Sequence, residues 1–432
     1  MFFIFSDAFQ QNTFKSLEQK IRQDLKKEII FDHKFKNMRF FVFALFLGLF
    51  FTTTFNANGY NLSQYQGNAV ADTIKSDTAK SDTLSKLDAM NKQMEYVIKY
   101  FPLPVVSYSS TTEWLFGLTK INTFRIAADQ NDTTIQPSSI TALAYMTQNK
   151  QYKFVVTSNL MFGQNKYESF TQFLLINFPI LYFGIGNNTN ADINCVLDSR
   201  NIGFVQSFKY NFHDNWYVGA KYRFDYYTKI DTIGECELCN EDVVNLTDNE
   251  GIQSGFGFSI SRETRDNRFN AQKGSYINFE FMTYVNWLGS NFSYRSFSLD
   301  LRKYVTPVEW LTIAGQFYTE AKFGEVPVQS LALMGGSDRM RGIYYGRFRD
   351  KTIIEAQLEL RFPIAWIIGG TIFTGIGEVA PDINAYTLQG LKWTYGVGLR
   401  MMVSESTRTN MRFDLGFYDG RSQFFFTFSE AF

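Results

Sequence analysis

The segment Ser422-Gln-Phe-Phe-Phe-Thr-Phe-Ser-Glu-Ala-Phe432, at the end of the sequence, decides the fold. Phe424, Phe426, Phe428 and Phe432 share one parity in this segment. Because the side chains of a strand alternate between two faces, these phenylalanines are predicted to lie on one face. A water-soluble protein would have to bury such a face, whereas a membrane strand turns it to hydrocarbon. The segment therefore predicts the last strand of a transmembrane β-barrel, with Phe428 and Phe432 as its terminal signal.

Other runs alternate in the same way over ten or more residues, the clearest being Ile353–Phe362, Arg408–Tyr418 and Tyr276–Trp287. Such lengths are typical of tilted transmembrane strands, whereas strands of soluble proteins usually have about five or six residues. The sequence therefore predicts an all-β chain that forms an antiparallel transmembrane β-barrel over residues 102–432. We expect about 16 strands, and 14 and 18 stay open.

Turn lengths predict the orientation of the strands. The short turns at 148–150, 213–215 and 305–309 are expected on the periplasmic side, and the long connections 231–250 and 324–352 outside. An even strand count then requires a poorly formed strand within 180–196. On this count the first strand is 114–126, and it meets Ser422–Phe432 at the seam of the barrel.

The composition agrees with a lipid-facing wall. Aromatic residues make up 18% of the chain, with 46 Phe and 24 Tyr, and the mean hydropathy is only −0.19. An apolar block, Phe40–Phe55, follows Met38-Arg39 and predicts a secretory signal. We therefore expect 1–57 to be an upstream extension plus signal peptide, with Met38 as the true start. An amino-terminal anchor helix is the alternative.

Residues 58–101 are predicted to form a polar linker and a short amphipathic helix. The linker, 58–83, has too few apolar residues to fold. Apolar residues then recur at spacings of three and four up to Phe101, where Pro102 and Pro104 stop the helix.

Charge and reactive residues exclude several classes of function. The part after residue 57 is slightly acidic, so we predict no nucleic-acid partner. The chain has only two histidines, His33 and His213, which leaves little for a serine–histidine site, so no enzyme is predicted. We also predict no metal and no cofactor. Cys236-Glu-Leu-Cys239 has no nearby histidine, which favours a loop disulfide over a zinc site.

Residues 335–350 read Gly-Gly-Ser-Asp-Arg-Met-Arg-Gly-Ile-Tyr-Tyr-Gly-Arg-Phe-Arg-Asp. They resemble the long loop of the BamA/TamA superfamily of bacterial surface antigen barrels, whose core is hydrophobic-Arg-Gly-aromatic. Met340, Arg341 and Gly342 fit the first three places, and Ile343 departs from the aromatic fourth.

Further segments resemble motifs of the same family in the same order: Pro104–Gly117, Tyr182–Asn187, Arg265-Asp266-Asn267 followed by Gly274, Glu359-Leu-Arg361-Phe-Pro363 and Glu430–Phe432. The family's Phe-x-Asp-x-Gly falls on Phe373–Gly377, where the aspartate is missing and Glu378 is the nearest acid. Family members usually carry amino-terminal POTRA domains, for which about 45 residues leave no room. The resemblance thus implies a short form that lacks them.

The resemblance implies that the loop folds into the barrel and that its arginine meets acids on the lumen wall. A guanidinium without water stays charged and needs a carboxylate at bidentate range. By alternation Glu355 and Glu359 point inward, so both are candidate partners. Glu378 and Arg361 complete the predicted lumen set. Arg265, Asp266, Asn267 and Gly274 are expected to clamp a periplasmic turn.

The resemblance also implies a location and a function. We expect an outer-membrane protein that inserts or translocates proteins or lipids through a weak seam between its first and last strands. The expected partners are outer-membrane lipids, namely lipopolysaccharide and phospholipid, and an unidentified client protein or periplasmic partner. The alternative is a channel-forming or structural barrel without assembly activity.

Overall fold

The computed structural model describes residues 96, 100–109, 113–126, 134–148, 150–177, 179–190, 195–234, 250–405 and 407–432. The predicted signal, the linker and most of the predicted helix lie outside them. Tyr96 and Tyr100 are helical and exposed, and their ring centroids are 4.6 Å apart. Within these ranges no helix combines the length and apolar character that crossing a bilayer requires.

The strands are β1 (Leu103–Ser109), β2 (Glu113–Phe124), β3 (Ser138–Thr147), β4 (Tyr152–Phe162), β5 (Tyr167–Asn177), β6 (Ile180–Leu181), β7 (Cys195–His213), β8 (Trp216–Gly234), β9 (Gly251–Glu263), β10 (Gly274–Tyr284), β11 (Tyr294–Val308), β12 (Leu311–Gly324), β13 (Ala332–Met334), β14 (Phe348–Asp350), β15 (Thr352–Ala365), β16 (Ile368–Ala380), β17 (Lys392–Ser404), β18 (Thr409–Tyr418) and β19 (Arg421–Phe428). Short 3₁₀ turns occupy Asn286–Leu288, Val328–Ser330 and Leu388–Gly390.

Seventeen of these strands form one antiparallel sheet in which each strand pairs with its neighbours along the chain. β5 pairs with β7, and the two-residue β6 lies beside β7. β12 pairs with β15, because β13 and β14 form a separate two-stranded sheet. Sixteen strands remain when β6 is set aside, so the predicted all-β fold and strand number are confirmed.

Burial along the strands is inverted relative to a soluble sheet. On β15, Leu358 is 44% exposed while the neighbouring Glu359 is fully buried. On β17, Val397 is 52% exposed while Arg400 is 4% exposed. Charged residues are rarely buried in soluble proteins unless they are paired. The apolar face therefore points outward, and the charged face lines an enclosed space.

Contacts across this space show that the sheet curves around a lumen. Arg268, between β9 and β10, donates to Glu168 of β5 at 2.6 Å. Asn267, its neighbour, donates to the backbone oxygen of Thr407 after β17 at 3.0 Å. These partners lie several strands away on either side, so the connection at 264–273 crosses the interior.

We call the end of the sheet that carries the connection 325–351 the loop end, and the opposite one the turn end. The turn 213–215 lies at the turn end, where Asp214 and Asn215 adopt the positive φ of a tight hairpin turn. The turn 163–166 lies beside it, since the Tyr217 hydroxyl donates to the Asn165 backbone oxygen at 2.6 Å. One strand separates 163–166 from 148–150, which therefore lies at the loop end. The prediction that grouped 148–150 with 213–215 is wrong.

The strand count explains this error. Among the described residues between 180 and 196 there are only the two-residue β6 and the start of β7, so no further strand of barrel length is seen there. The additional strand is β1, which pairs with β2 from Leu103↔Thr119 to Ser109↔Glu113. The predicted first strand, 114–126, is thus the second. Inserting a strand too late reversed the direction assigned to every strand before it.

The predicted runs Ile353–Phe362 and Arg408–Tyr418 agree with β15 and β18 to within a few residues. Two other predicted runs extend beyond their strands. β10 ends at Tyr284, and Trp287 lies in a 3₁₀ turn rather than in the strand. β19 ends at Phe428, so the last four residues of the predicted strand leave the sheet.

Cys195, at the loop end of β7, is disulfide-bonded. Cys236 and Cys239, for which a loop disulfide is predicted, lie outside the described residues.

Candidate functional site

The connection 325–351 folds into the lumen from the loop end. β13 and β14 pair within it and hold its two ends together. Its apolar side chains Met340 and Ile343 are each 1% exposed and pack with Ile353 of β15 and Val379 of β16. The connection is therefore anchored to the inner wall rather than extended into solvent.

Gly342 permits the closest approach between this connection and the wall. Its φ is +110°, and a Cβ atom there would lie 2.7 Å from the backbone nitrogen of Phe417 on β18. A Cβ atom on the facing Gly416 would lie 2.6 Å from the carbonyl carbon of Arg341. Two glycines thus let the two backbones touch, since any side chain would force them apart.

The contact of these backbones positions the Arg341 side chain, which is fully buried. Its Nη1 donates to Asp414 Oδ2 of β18 at 2.7 Å, and its Nη2 donates to Glu359 Oε1 of β15. The guanidinium carbon lies 3.7 Å from the centre of the Phe373 ring. A buried cation is stable only when opposite charge and hydrogen bonds replace its lost water, and two carboxylates do so here.

Further buried arginines extend this arrangement across the lumen. Arg361 pairs with Glu359 at 2.7 Å, and Arg400 pairs with Asp414 at 2.6 Å. Arg400 also pairs with Glu430 at 2.7 Å, and Arg412 lies 3.6 Å from Asp414. We call Arg341, Arg361, Arg400, Arg412, Glu359, Asp414 and Glu430 the lumen network. It joins the connection 325–351, which we call the inward connection, to strands β15, β17 and β18 and to the residues after β19.

The other predicted acids have different partners. Glu355 pairs with Arg339 at 2.6 Å rather than with Arg341. Burial alone would lower the pKa of Arg339, but the Glu355 carboxylate together with Tyr318 and Glu320 more than offsets this, so the pKa is raised. Glu378 accepts from the backbone nitrogen of Thr387 at 3.0 Å and lies outside the lumen network.

The Tyr182–Asn187 segment, between β6 and β7, packs on the same connection. The Gly186 nitrogen donates to the Arg349 backbone oxygen at 2.8 Å. The Phe183 and Tyr344 rings meet edge-on, with centroids 6.1 Å apart. The segment thus contacts the connection 325–351 from the side of β6 and β7.

The Arg265-Asp266-Asn267 segment, at the turn end, is held by local hydrogen bonds. The Asp266 carboxylate accepts from the backbone nitrogens of Gln272 and Lys273 at 2.9 and 3.1 Å. The Asn267 side-chain oxygen accepts from the backbone nitrogens of Phe269 and Asn270, at 2.8 and 3.0 Å. Arg265 pairs with Glu263 at 2.6 Å, and Gly274 has a φ of +100° that favours glycine.

Residues 429–432 also turn into the lumen. Ser429 has a φ of +69°, which ends the alternation of β19. Phe432 is 4% exposed and packs with Ala271, Tyr304 and Ala314. The prediction that Phe432 faces lipid is therefore wrong. Phe428 stays on β19 and is half-buried beside the Phe426 ring.

A model of the Omp85 superfamily domain matches residues 126–432. The chain belongs to the Omp85 superfamily. The match spans β3 to β19, the inward connection and the whole lumen network. The predicted membership of the BamA/TamA superfamily is confirmed, and with it the outer-membrane location of this barrel.

Solved structures with some likeness to this Omp85 barrel include BamA from Haemophilus ducreyi lacking POTRA domains 1–3, at 13% identity and a TM-score of 0.46, covering 81% of this chain and 78% of that one. The translocator domain of the autotransporter NalP from Neisseria meningitidis has 8% identity and a TM-score of 0.25, covering 80% and 94%. At these values the likeness supports no activity or partner. No curated protein sequence matches the chain.

Sequence reasoning missed four members of the lumen network of this Omp85 barrel: Asp414, Arg400, Arg412 and Glu430. A signal existed for two of them, because Arg412 and Asp414 alternate with Met411 and Phe413 on β18. That pattern marks them as inward-facing. Nothing in the sequence indicates that β18 lies under Arg341.

The described residues offer no group of three or more His, Cys, Asp or Glu that could hold a metal ion. His213 lies in an exposed turn beside Asp214, with Nε2 and Oδ2 3.0 Å apart.

Proposed function

We propose that this Omp85 barrel inserts or translocates proteins, or lipids, at the outer membrane through a weak seam between its first and last strands. The observation that carries the proposal is the length of the two terminal strands. β1 has 7 residues and β19 has 8, whereas the other strands of the sixteen have 10 to 19.

The physical reason is backbone hydrogen bonding. The shorter strand limits how many backbone groups can pair across a seam between β1 and β19. In hydrocarbon each unpaired backbone group costs several kcal/mol, so such an edge gains free energy by pairing with another strand. A client segment in an extended conformation can supply that strand by β-augmentation. The seam would then be the place where a client enters.

The filled lumen favours insertion over conduction. The inward connection occupies the loop end, and 264–273 together with 429–432 occupy the turn end. A porin, by contrast, keeps a water-filled path through its centre. In this proposal the Arg341 contacts brace the wall next to β19, so that the seam can open while the barrel stays folded.

Depletion of the protein, followed by quantitation of outer-membrane proteins and surface lipids, tests the activity. We expect selective loss of one inserted or secreted species. Normal levels of all species would contradict the proposal. Single-channel conductance in planar bilayers combined with such normal levels would favour the alternative, a channel-forming or structural barrel.

A disulfide lock tests the seam itself. Cysteine at Ser107 of β1, combined in turn with cysteines from Ser422 to Thr427 of β19, would join the terminal strands. We expect oxidation to abolish the activity and reductant to restore it. The matched control joins Ser107 to Leu115, which face each other across β1 and β2, and should keep full activity. If the oxidised β1–β19 variants were as active as the control variant, entry of a client through the seam would be excluded.

A further inference from the structure

A hydrogen bond at the turn end crosses the seam between β1 and β19. Thr123 Oγ1 of β2 lies 3.0 Å from Thr407 Oγ1 of the β17–β18 turn, and the terminal strands lie between these two positions along the wall. Thr407 is 2% exposed, so water competes little for this bond. At this end the two sides of the seam are therefore joined directly by side chains.

The segment 264–273 makes a second connection across the same end. Toward the first strands, Gln136 Nε2 donates to the backbone oxygen of Arg265 at 2.7 Å. Toward the last strands, Asn267 Nδ2 donates to the backbone oxygen of Thr407 at 3.0 Å. The segment thus holds both sides of the seam at once. We call the following residues the turn-end clasp: Thr123, Thr407 and 264–273.

The two ends of β19 differ in how they are held. At the turn end, Ser429 Oγ and the Glu430 backbone nitrogen both donate to the backbone oxygen of Phe269, each at 3.0 Å. At the loop end, residues 419–422 are exposed, and nothing lies within 4 Å of a Cβ atom placed on Gly420. The turn end of β19 is therefore fixed to the clasp, while its loop end borders solvent.

Hydrogen bonds that cross the lumen at the loop end lie farther from the seam. They start from the segment 180–190, between β5 and β7. The Gly186 nitrogen donates to the Arg349 backbone oxygen at 2.8 Å, and Asn187 Nδ2 donates to the Gly390 backbone oxygen at 2.8 Å. These bonds reach the first half of the barrel beyond β5, whereas the turn-end clasp reaches β2.

We propose that the seam opens as a wedge from its loop end, and that the turn-end clasp is the hinge. This inference rests on the proposed function. A wedge separates the backbone groups of β1 and β19 near the loop end while the clasp keeps its hydrogen bonds. The edge that a client strand can join is then the half of the seam next to the loops. With the loop end outside, as the loop lengths predict, that half faces the outer leaflet.

Two disulfide locks in the full chain, assayed by the species that depletion removes, test the hinge. Thr123→Cys with Thr407→Cys joins the clasp, where the two hydroxyl oxygens are 3.0 Å apart. We expect the oxidised variant to keep full activity, because the two sides of a hinge stay together. Ser107→Cys with Ser422→Cys joins the loop ends of β1 and β19, and oxidation should abolish activity until reductant is added.

The two locks separate failure of the hinge from failure of the proposed function. Loss of activity in the oxidised clasp variant would overturn the hinge. If the oxidised seam variant also loses activity, entry through the seam still stands. Full activity in both oxidised variants would overturn the proposed function, and the hinge with it.

Hydrogen exchange measures the hinge without an activity assay. In the unmodified protein, the amides of 422–424 should exchange about tenfold or more faster than those of 426–428, because opening is confined to the loop end. Thr407→Val keeps nearly the same side-chain shape but removes the hydroxyl that bonds to Thr123. Exchange at 426–428 should then rise to the level of 422–424.

Thr319→Val is the matched control for this experiment. Its hydroxyl donates to the backbone oxygen of Ile353 at 2.9 Å on β12, away from the seam, so both exchange rates should stay unchanged. Equal exchange along β19 in the unmodified protein would overturn the proposal. So would a Thr407→Val variant that exchanges like the unmodified protein, or a Thr319→Val variant that changes the two rates as Thr407→Val does.

Discussion

At the loop end Arg341 reaches Asp414, 73 positions away in the sequence, whereas at the turn end Asp266 caps Gln272, only 6 positions away. The inward connection depends on buried ion pairs with strands that are distant in the chain. The segment 264–273 has side chains that cap its own backbone, in addition to the contacts of Arg268 with Glu168 and of Asn267 with Thr407. The first can therefore be released by removing one charge, while the second keeps its local caps when one distant contact is lost.

This difference separates two kinds of lumen filling. Removing one member of a buried ion pair leaves its partner buried and unpaired, which costs far more than the pair contributed. Removing the exposed Asp266 cap leaves backbone groups near a surface, where water can replace it. We therefore expect substitutions at the loop end to affect the whole barrel and substitutions at the turn end to stay local.

The largest effect is expected for Arg341→Ala, which leaves Glu359 and Asp414 without their shared donor. We expect a loss of about 3–5 kcal/mol in the free energy of unfolding, as for other broken buried pairs. Urea unfolding followed by the heat-modifiable band on a gel measures it. The control is Arg339→Ala, whose side chain is 32% exposed and should cost less. Equal stability of Arg341→Ala and the unmodified protein would remove the basis of the comparison.

Gly342→Ala tests the backbone contact without removing charge. Its φ of +110° and the nearby Phe417 backbone make the alanine both strained and crowded, so we expect a loss of about 1–3 kcal/mol. The same assay applies. Gly420→Ala is the matched control, because its φ is +72° and nothing lies within 4 Å of the added Cβ. If the two variants lose the same stability, crowding contributes nothing.

Asn267→Ala removes the local cap at the turn end. We expect a loss of about 1–2 kcal/mol in the free energy of unfolding. The backbone nitrogens of Phe269 and Asn270 lose their acceptor, and the backbone oxygen of Thr407 loses its donor. Hydrogen exchange should increase within 264–273 and stay unchanged within 331–350. Increased exchange in both segments would show that the two ends are not independent.

Asp338→Asn should have the smallest effect, below about 1 kcal/mol, because Asp338 is 70% exposed although it pairs with Arg412 at 3.1 Å. The difference from the unmodified protein should vanish in high salt. Asp414→Asn provides the contrast, since that carboxylate is fully buried and its loss should resist screening by salt. Comparable effects of the two variants would contradict the role assigned to burial.

Local patterns in the sequence predicted the parts of the fold that depend on neighbours along the chain. Alternation on β15 identified Glu359 as inward-facing, because strand geometry alone decides which face a residue occupies. Asp414 was visible in the same way on β18. Its pairing with Arg341 was not, because that contact depends on where a connection crosses a distant strand.

Two errors came from extending a pattern beyond its physical basis. The parity that put Phe432 with Phe424 assumes an unbroken strand, and the left-handed conformation of Ser429 breaks it. The assignment of 148–150 depended on counting strands, so one misplaced strand was enough to invert it. Periodicity predicts faces well, but it does not predict where a strand ends.

The disulfide at Cys195 has a practical consequence for denaturation. The bond persists when every hydrogen bond of the sheet has broken. A disulfide restricts the unfolded chain and makes it more compact than a reduced chain. Gel mobility of the boiled protein should therefore depend on reductant, so oxidised and reduced samples need separate reference lanes.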